Sequence, residues 1–166
     1  MDTYPAVASK RDERRYSDRP VPDDVRHRIL DAGRLAGSAR NRQPWRFLVV
    51  EDPGVKERLA GSVYAPDNVR GARFVVAVLG KASLDVGRAI QNMMLVAWND
   101  GVVSCPNGMP DPEATRALLG LGEDDSVAIV LSFGYPTRPR DPESRSAEEW
   151  SARANRKPLG DIVEHR

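Results

Sequence analysis

Cysteine is almost missing from this chain. Cys105 stands alone among 166 residues, so no internal disulfide can form, and a reducing, cytoplasmic setting is expected. Histidine is nearly as scarce. His27 and His165 lie at opposite ends of the chain, and with no second cysteine at ligand spacing no metal site is expected. Long apolar runs are also lacking: nothing approaches the roughly 20 residues of a membrane-spanning helix. The opening MDTYPAVASKRDERRYSD has no apolar core, so neither a membrane partner nor a secretory signal is expected. Finally, there is no bulk excess of one charge. Lys+Arg 25 against Asp+Glu 24 leaves +1, and no nucleic-acid-binding motif is present, so nucleic acid is not an expected partner.

Several catalytic signatures are absent too. There is no GxSxG elbow with a partner histidine. LGKAS (79–83) has Val75 and Ala82 where a phosphate loop needs glycine and Ser/Thr. GLGEDD (120–125) follows a predicted helix and lacks the third glycine of a dinucleotide fingerprint.

What remains is a chain of ordinary single-domain length, so one domain over 1–166 is expected. A chain this long can bury roughly 70% of its unfolded surface without staples. The near-zero net charge conceals a pattern: residues 1–50 carry +4, residues 51–135 carry −4, and residues 136–166 carry +1. Only Lys10, Lys56, Lys81 and Lys157 are lysine; the other 21 cations are arginine, the better fork for phosphate and carboxylate.

Periodicity predicts alternating helices and strands. PVPDDVRHRILDAGRLAG (20–37) reads as a helix, with Pro22 and two aspartates at its start and Val25, Ile29, Ala32, Gly33 and Ala36 on one face. WRFLVV (45–50) reads as a strand, 54–63 as a helix, and RFVVAVL (73–79) as a buried strand. SLDVGRAIQNMMLVAWND (83–100) is the longest helix and the expected centre of the molecule. A loop, SCPNGMPDP, leads to a short helix (112–119) and a third strand (126–134). YPTRPRDPESRS then forms an arm ahead of a short helix around Trp150 and the tail RKPLGDIVEHR. The pattern predicts an α/β sandwich in three layers. The arm has few apolar residues of its own and is expected to lie on a second subunit.

Three groups of polar residues have no evident structural task. KRDERR (10–15) is dense in cations and suits a phosphate. SARNRQPW (38–45) places Ser38, Asn41 and Gln43 within six positions, a lining for a hydrogen-bonding ligand. Arg156 and Lys157 offer a second cationic grip near the end. Together they point to an anionic, partly aromatic, nucleotide-like ligand.

These segments resemble the nitroreductase family of FMN-dependent oxidoreductases. KRDERRYSDRPVP followed by ILDAGRLAGSARNRQPWRFLVV resembles the family's opening, DVGRAIQNMMLVAWNDGV its central helix, LSFGYP its late strand and RKPLGDIV its closing tail. The resemblance implies an α+β fold with a mixed sheet flanked by helices and a C-terminal segment embracing a homodimer partner, the flavin lying at the interface. It implies that Lys10, Arg11 and Arg14 grip the FMN phosphate, with Arg156 and Lys157 closing on it. Ser38, Asn41 and Gln43 would meet the ribityl chain and ring, and Asn107 and Gly108 would offer backbone N–H groups near the reactive ring nitrogen. Asn68 is expected to cap a turn rather than touch the cofactor.

The implied activity passes hydride from NADH or NADPH through FMN to a nitroaromatic, quinone or similar small-molecule acceptor. No catalytic side chain is assigned, because the flavin carries the chemistry. The alternatives are a specialised flavoenzyme of the same fold (dehydrogenase, dehalogenase or flavin-fragmenting) and a non-catalytic FMN-binding protein. Three departures stand out. Asp12 replaces the family's usual serine, Gly37 replaces a proline, and the link GKAS (80–83) is shorter than in fuller members, which implies a more open pocket.

Overall fold

The computed structural model describes residues 3–166. Helix α1 (Thr3–Ser9) precedes α2 (Asp23–Arg34), strand β1 (Arg46–Val49), α3 (Pro53–Gly61) and α4 (Pro66–Gly71). Then come β2 (Phe74–Leu79), α5 (Leu84–Asn99), β3 (Val103–Asn107), α6 (Pro112–Leu118), β4 (Val127–Gly134) and α7 (Ala147–Ala152). Local chemistry sets the helix starts: Pro53 and Pro112 occupy first turns behind the capping carboxylates of Asp52 and Asp111, and Ser83 caps α5.

The strands form one sheet in the order β1-β2-β4-β3, and neighbouring strands are antiparallel. The mixed sheet expected from the resemblance is thus antiparallel among these four strands. The parallel pairing is a single bridge, Asp12 to Ser104, along the outer edge of β3. β2 is central and buried at every position, which is why it reads as an unbroken apolar run. Its Phe74, Val76 and Val78 face α2 and α5, joined by Phe133, whose ring centre lies 5.4 Å from that of Phe74. Val75, Ala77 and Leu79 face the opposite side, with Leu59, Val63 and Val69 of the α3–α4 region. Each fully buried Val, Leu or Phe stabilises the fold by about 1.5–3 kcal/mol. The three expected layers are therefore present.

Two helices and one strand lie where the sequence reading placed loop or arm. α1 is anchored by Trp98 Nε1 donating to Ser9 Oγ at 2.9 Å. α4 fills the stretch ahead of β2. β3 takes up the first part of the expected loop 105–110, and it accommodates Pro106 because it is an edge strand, where a missing N–H leaves no ladder partner unserved. The arm is also held within its own chain. α7 packs on α1 of the same chain, Arg140 pairs with Glu13, and Trp150 Nε1 donates to the Pro142 carbonyl at 2.8 Å. Trp150 supplies the apolar anchor that the proline-rich arm itself lacks. The part left exposed along almost its whole length is 153–166.

Candidate functional site

The cationic segment 10–15 does not wave in solvent. It runs along β3, with Glu13 N donating to Ser104 O at 3.1 Å. Strand alternation then places Cys105 and Asn107 on the α4 face of the sheet edge, with Ser132 beside Cys105 on β4. A buried polar network fills this corner. Asn107 Nδ2 donates to Cys105 O (3.0 Å), Val130 O (3.1 Å) and Ser132 Oγ (3.0 Å). Asn68 Nδ2 donates to Asn107 Oδ1 at 2.8 Å and lies 3.8 Å from the Cys105 sulfur. Tyr16 Oη shares a 2.8 Å hydrogen bond with Ser132 Oγ.

The electrostatics follow from this packing. Burial pushes the Cys105 thiol up, and the Arg14 guanidinium beside it partly opposes that shift. The same contact raises Arg14 further above its already high value. Burial also pushes the Tyr16 phenol up, against its hydrogen bond to Ser132. All three groups therefore hold their ordinary protonation states at neutral pH.

The expected site residues separate into those that are free and those that are committed. Arg14 is exposed and has no carboxylate partner among the described residues. Lys10 pairs with Asp12 and touches the Met94 sulfur, so the anion at position 12 is neutralised locally. Arg11 is committed: it donates to the carbonyls of Ala8 (2.7 Å), Lys10 (2.8 Å) and Trp150 (2.8 Å), clasping α7 to α1. The Asn107 side chain is used entirely inside the network, which leaves only its backbone to face a ligand. Gly108 follows at the strand end, where an added Cβ would press on the Tyr64 ring at 3.3 Å. Arg156 and Lys157 are exposed beyond α7, and Arg156 donates to the Ala154 carbonyl at 3.0 Å.

Ser38, Asn41 and Gln43 form a separate group. Arg40, Asn41 and Gln43 all adopt left-handed backbone, with φ of 53°, 53° and 48°, a conformation that costs L-residues energy and gathers at functional loops. Two side-chain acceptors add to the backbone bonds of the turn: Ser38 Oγ accepts from Gln43 N at 2.8 Å, and Asp85 accepts from Ala39 N at 3.0 Å. Downstream, Pro44 lies against Gly80, whose φ of +133° and missing Cβ permit the contact. This loop meets α5 at Asp85, whereas Lys10 meets it at Met94. Nine residues of helix separate those points, about 14 Å along the axis. In one chain, then, the two groups do not meet.

The residues around Arg14 fit a phosphorylated aromatic group such as FMN. Arg14 and Lys10 suit the phosphate, Gly108 keeps the strand end bare, and Asn68 Oδ1 accepts no hydrogen bond among the described residues. Sequence reasoning missed Tyr16, Ser132 and Cys105, and it gave Asn68 a turn-capping task. Their link is a contact between segments far apart in the chain, and the local signal was no more than single polar residues, such as Ser132, inside otherwise apolar runs. Among the described residues no group of three or more metal-ligating side chains forms, and no helix is long and apolar enough to cross a membrane.

Comparison with known proteins gives a consistent result. The family model described as Nitroreductase family matches residues 7–81 and 80–135. An Archaeoglobus fulgidus protein assigned as an NADH dehydrogenase/NAD(P)H nitroreductase is 32% identical over 149 residues, covering 81% of this chain and 86% of that protein. Iodotyrosine deiodinase 1 of Rattus norvegicus is 34% identical over 186 residues, covering 83% of this chain and 63% of its own. Among solved structures, a protein of Desulfovibrio desulfuricans assigned as a nitroreductase and crystallised in complex with FMN superposes with a TM-score of 0.83. It is 26% identical, with 100% of this chain and 98% of that one covered.

Proposed function

The chain belongs to the nitroreductase family, and from that premise we propose that it is an FMN-dependent oxidoreductase. It takes reducing equivalents from NADH or NADPH and delivers them to a nitroaromatic, quinone or similar small acceptor. The observation that carries this reading is the placement of Lys10 and Arg14 along β3, beside the glycine-ended strand 103–107 and the buried amides of Asn68 and Asn107. The D. desulfuricans structure in complex with FMN and the nitroreductase names of relatives support the cofactor and the donor.

FMN, when bound, would supply the redox chemistry between nicotinamide and acceptor. The chain's own residues bind and orient. Arg14 and Lys10 hold the phosphate through charge-assisted bonds. The backbone at Asn107 and Gly108 faces the ring, made rigid from behind by the Asn68–Asn107–Ser132 network. The backbone N–H groups there would supply hydrogen-bond donors to the ring. With the short link 80–83 the site stays open, so donor and acceptor use the same face in turn.

The other half of the site, Ser38, Asn41 and Gln43, comes in this reading from a second copy of the chain. The roughly 14 Å separation along α5 within one chain supports that assignment, and the exposed tail with Arg156 and Lys157 is long enough to contribute at the same interface. The protein therefore works as a homodimer. The identity to iodotyrosine deiodinase 1 favours one second reading, a reductive dehalogenase of the same fold.

The test is direct. FMN is added to purified protein, its binding is followed by quenching of flavin fluorescence, and NAD(P)H oxidation is measured with quinone, nitroaromatic and halogenated phenol acceptors. Binding of FMN with turnover of several acceptors supports the reductase. Turnover of the halogenated phenol alone selects the dehalogenase. A protein that does not take up FMN sinks both readings.

A further inference from the structure

A second cationic cleft lies across the sheet from the corner around Arg14. It opens between α2, α3 and the strand ends at Val50 and Phe74, has a volume of about 300 Å³, and is lined by Arg26, Glu51, Lys56 and Arg73 over apolar walls. Cys105 pairs with Ser132, Ser132 with Val75, and Val75 O accepts from Val50 N. Val75 itself lines the cleft, so two strand spacings separate its nearest wall from Cys105, about 10 Å.

The carboxylates beside these three cations, Asp18, Asp23, Glu51 and Glu57, all stand in solvent. Arg26 lies against the Phe74 ring, its guanidinium carbon 5.6 Å from the ring centre. Its Nε is buried and has no hydrogen-bond partner. Its ion pair with Asp23 is long, at 3.6 Å, and that carboxylate is almost wholly in solvent. Lys56 donates to the Ala72 carbonyl at 2.6 Å, and burial together with neighbouring Arg73 lowers the affinity of its ammonium for the proton. Arg73 donates to Ser17 O at 3.0 Å and pairs with a fully exposed Asp18. Glu51, exposed at the rim, is the one carboxylate lining the cleft. Buried donors rarely go unpaired without a water, an ion or a function to account for them. Converging arginine and lysine donors on an apolar floor suit a tetrahedral oxyanion.

We propose that this cleft binds a phosphate group, either as free phosphate or as the phosphate of a small ester, with Arg26, Lys56 and Arg73 as its donors. The volume admits a phosphate carrying a small organic group. Arg26 and Arg73 would offer terminal guanidinium N–H groups, and Lys56 the N–H bonds it does not give to Ala72. The proposal does not rest on flavin binding.

Calorimetric titration tests it, using the full chain loaded with FMN and then freed of unbound FMN, inorganic phosphate as the probe and chloride holding the ionic strength constant. One saturable site is expected, weakened at least 10-fold in Arg26→Gln and in Lys56→Gln. Arg26→Gln is the cleaner variant because its Nε has no bond to lose, and the melting temperature of each variant checks the fold. Arg14→Gln must leave phosphate affinity unchanged, which separates this site from the proposed flavin phosphate site even if FMN does not bind. Glycerol phosphate forms the second arm: tighter binding than phosphate assigns an ester, and equal binding assigns the free ion. No saturable binding, or unchanged affinity in Arg26→Gln, overturns the proposal.

Discussion

The corner around Asn107 and the loop 38–43 are built by opposite means. In the corner nearly every polar atom is satisfied from within: Asn107 is 3% exposed, and its amide donates to two carbonyls and one hydroxyl. In the loop, Asn41 and Gln43 are exposed, the backbone is left-handed at three residues, and one hydroxyl and one carboxylate add to the backbone bonds of the turn. The first arrangement gives rigidity at no cost in strain. The second holds energy that a ligand or partner can offset. If the two together form one flavin site, the corner positions the ring and the loop completes the enclosure.

Substitutions can break this comparison, and the largest effect is expected in the corner. Asn107→Ala removes four hydrogen bonds and strands buried acceptors, so it should lower stability by about 3 kcal/mol, read as a clear fall in melting temperature. A change within about 0.5 kcal/mol would show that the network is not structural. Arg14→Gln should leave the melting temperature nearly unchanged. It should weaken FMN binding about 10- to 100-fold, the value of a charged hydrogen bond. Equal FMN affinity in both proteins would remove Arg14 from the phosphate grip.

In the loop the signs reverse. Arg40→Gly should stabilise the fold by up to about 1 kcal/mol, because glycine enters the left-handed region freely. FMN affinity should fall modestly as the turn loosens. Unfolding in urea and FMN titration read the two effects separately, and loss of stability would mean that the left-handed backbone is not strained. The smallest change is expected from Asp12→Asn, which frees Lys10 and removes an anion near the phosphate position. Its expected result is a few-fold gain in FMN affinity that shrinks as salt is added.

Legibility followed the range of the interactions. The helices α2, α3, α5 and α6 and the strands β1, β2 and β4 were readable because each has its own period, cap or apolar run. Asp52–Pro53, Asp111–Pro112 and the Ser83 cap are short-range signals that name helix starts directly. β3 was unreadable because Pro106 and Asn107 argue against a strand, and only an edge position next to β4 makes them acceptable. The anchorage of the arm within the chain was unreadable for a related reason: Trp150 and Arg11 are 139 residues apart, and neither residue by itself shows that they clasp. The candidate site residues were visible as polar side chains without a task, yet which of them are already committed was not.

By itself the sequence determined a helix-and-strand sandwich without disulfides, a cation-dense segment at 10–15, a polar connection at 38–45 and membership signals spread over the whole chain. These are properties of composition, spacing and local propensity, and they need no partner in space. The tertiary structure alone decided that Arg11 serves the fold while Arg14 stays free, that Asn107 turns inward, and that Asn68, Cys105 and Ser132 share one network. It also decided that the two polar groups stand about 14 Å apart along α5. The reason is physical: hydrogen-bond commitment and burial depend on which distant segments fold onto a residue, and no local window of sequence contains them.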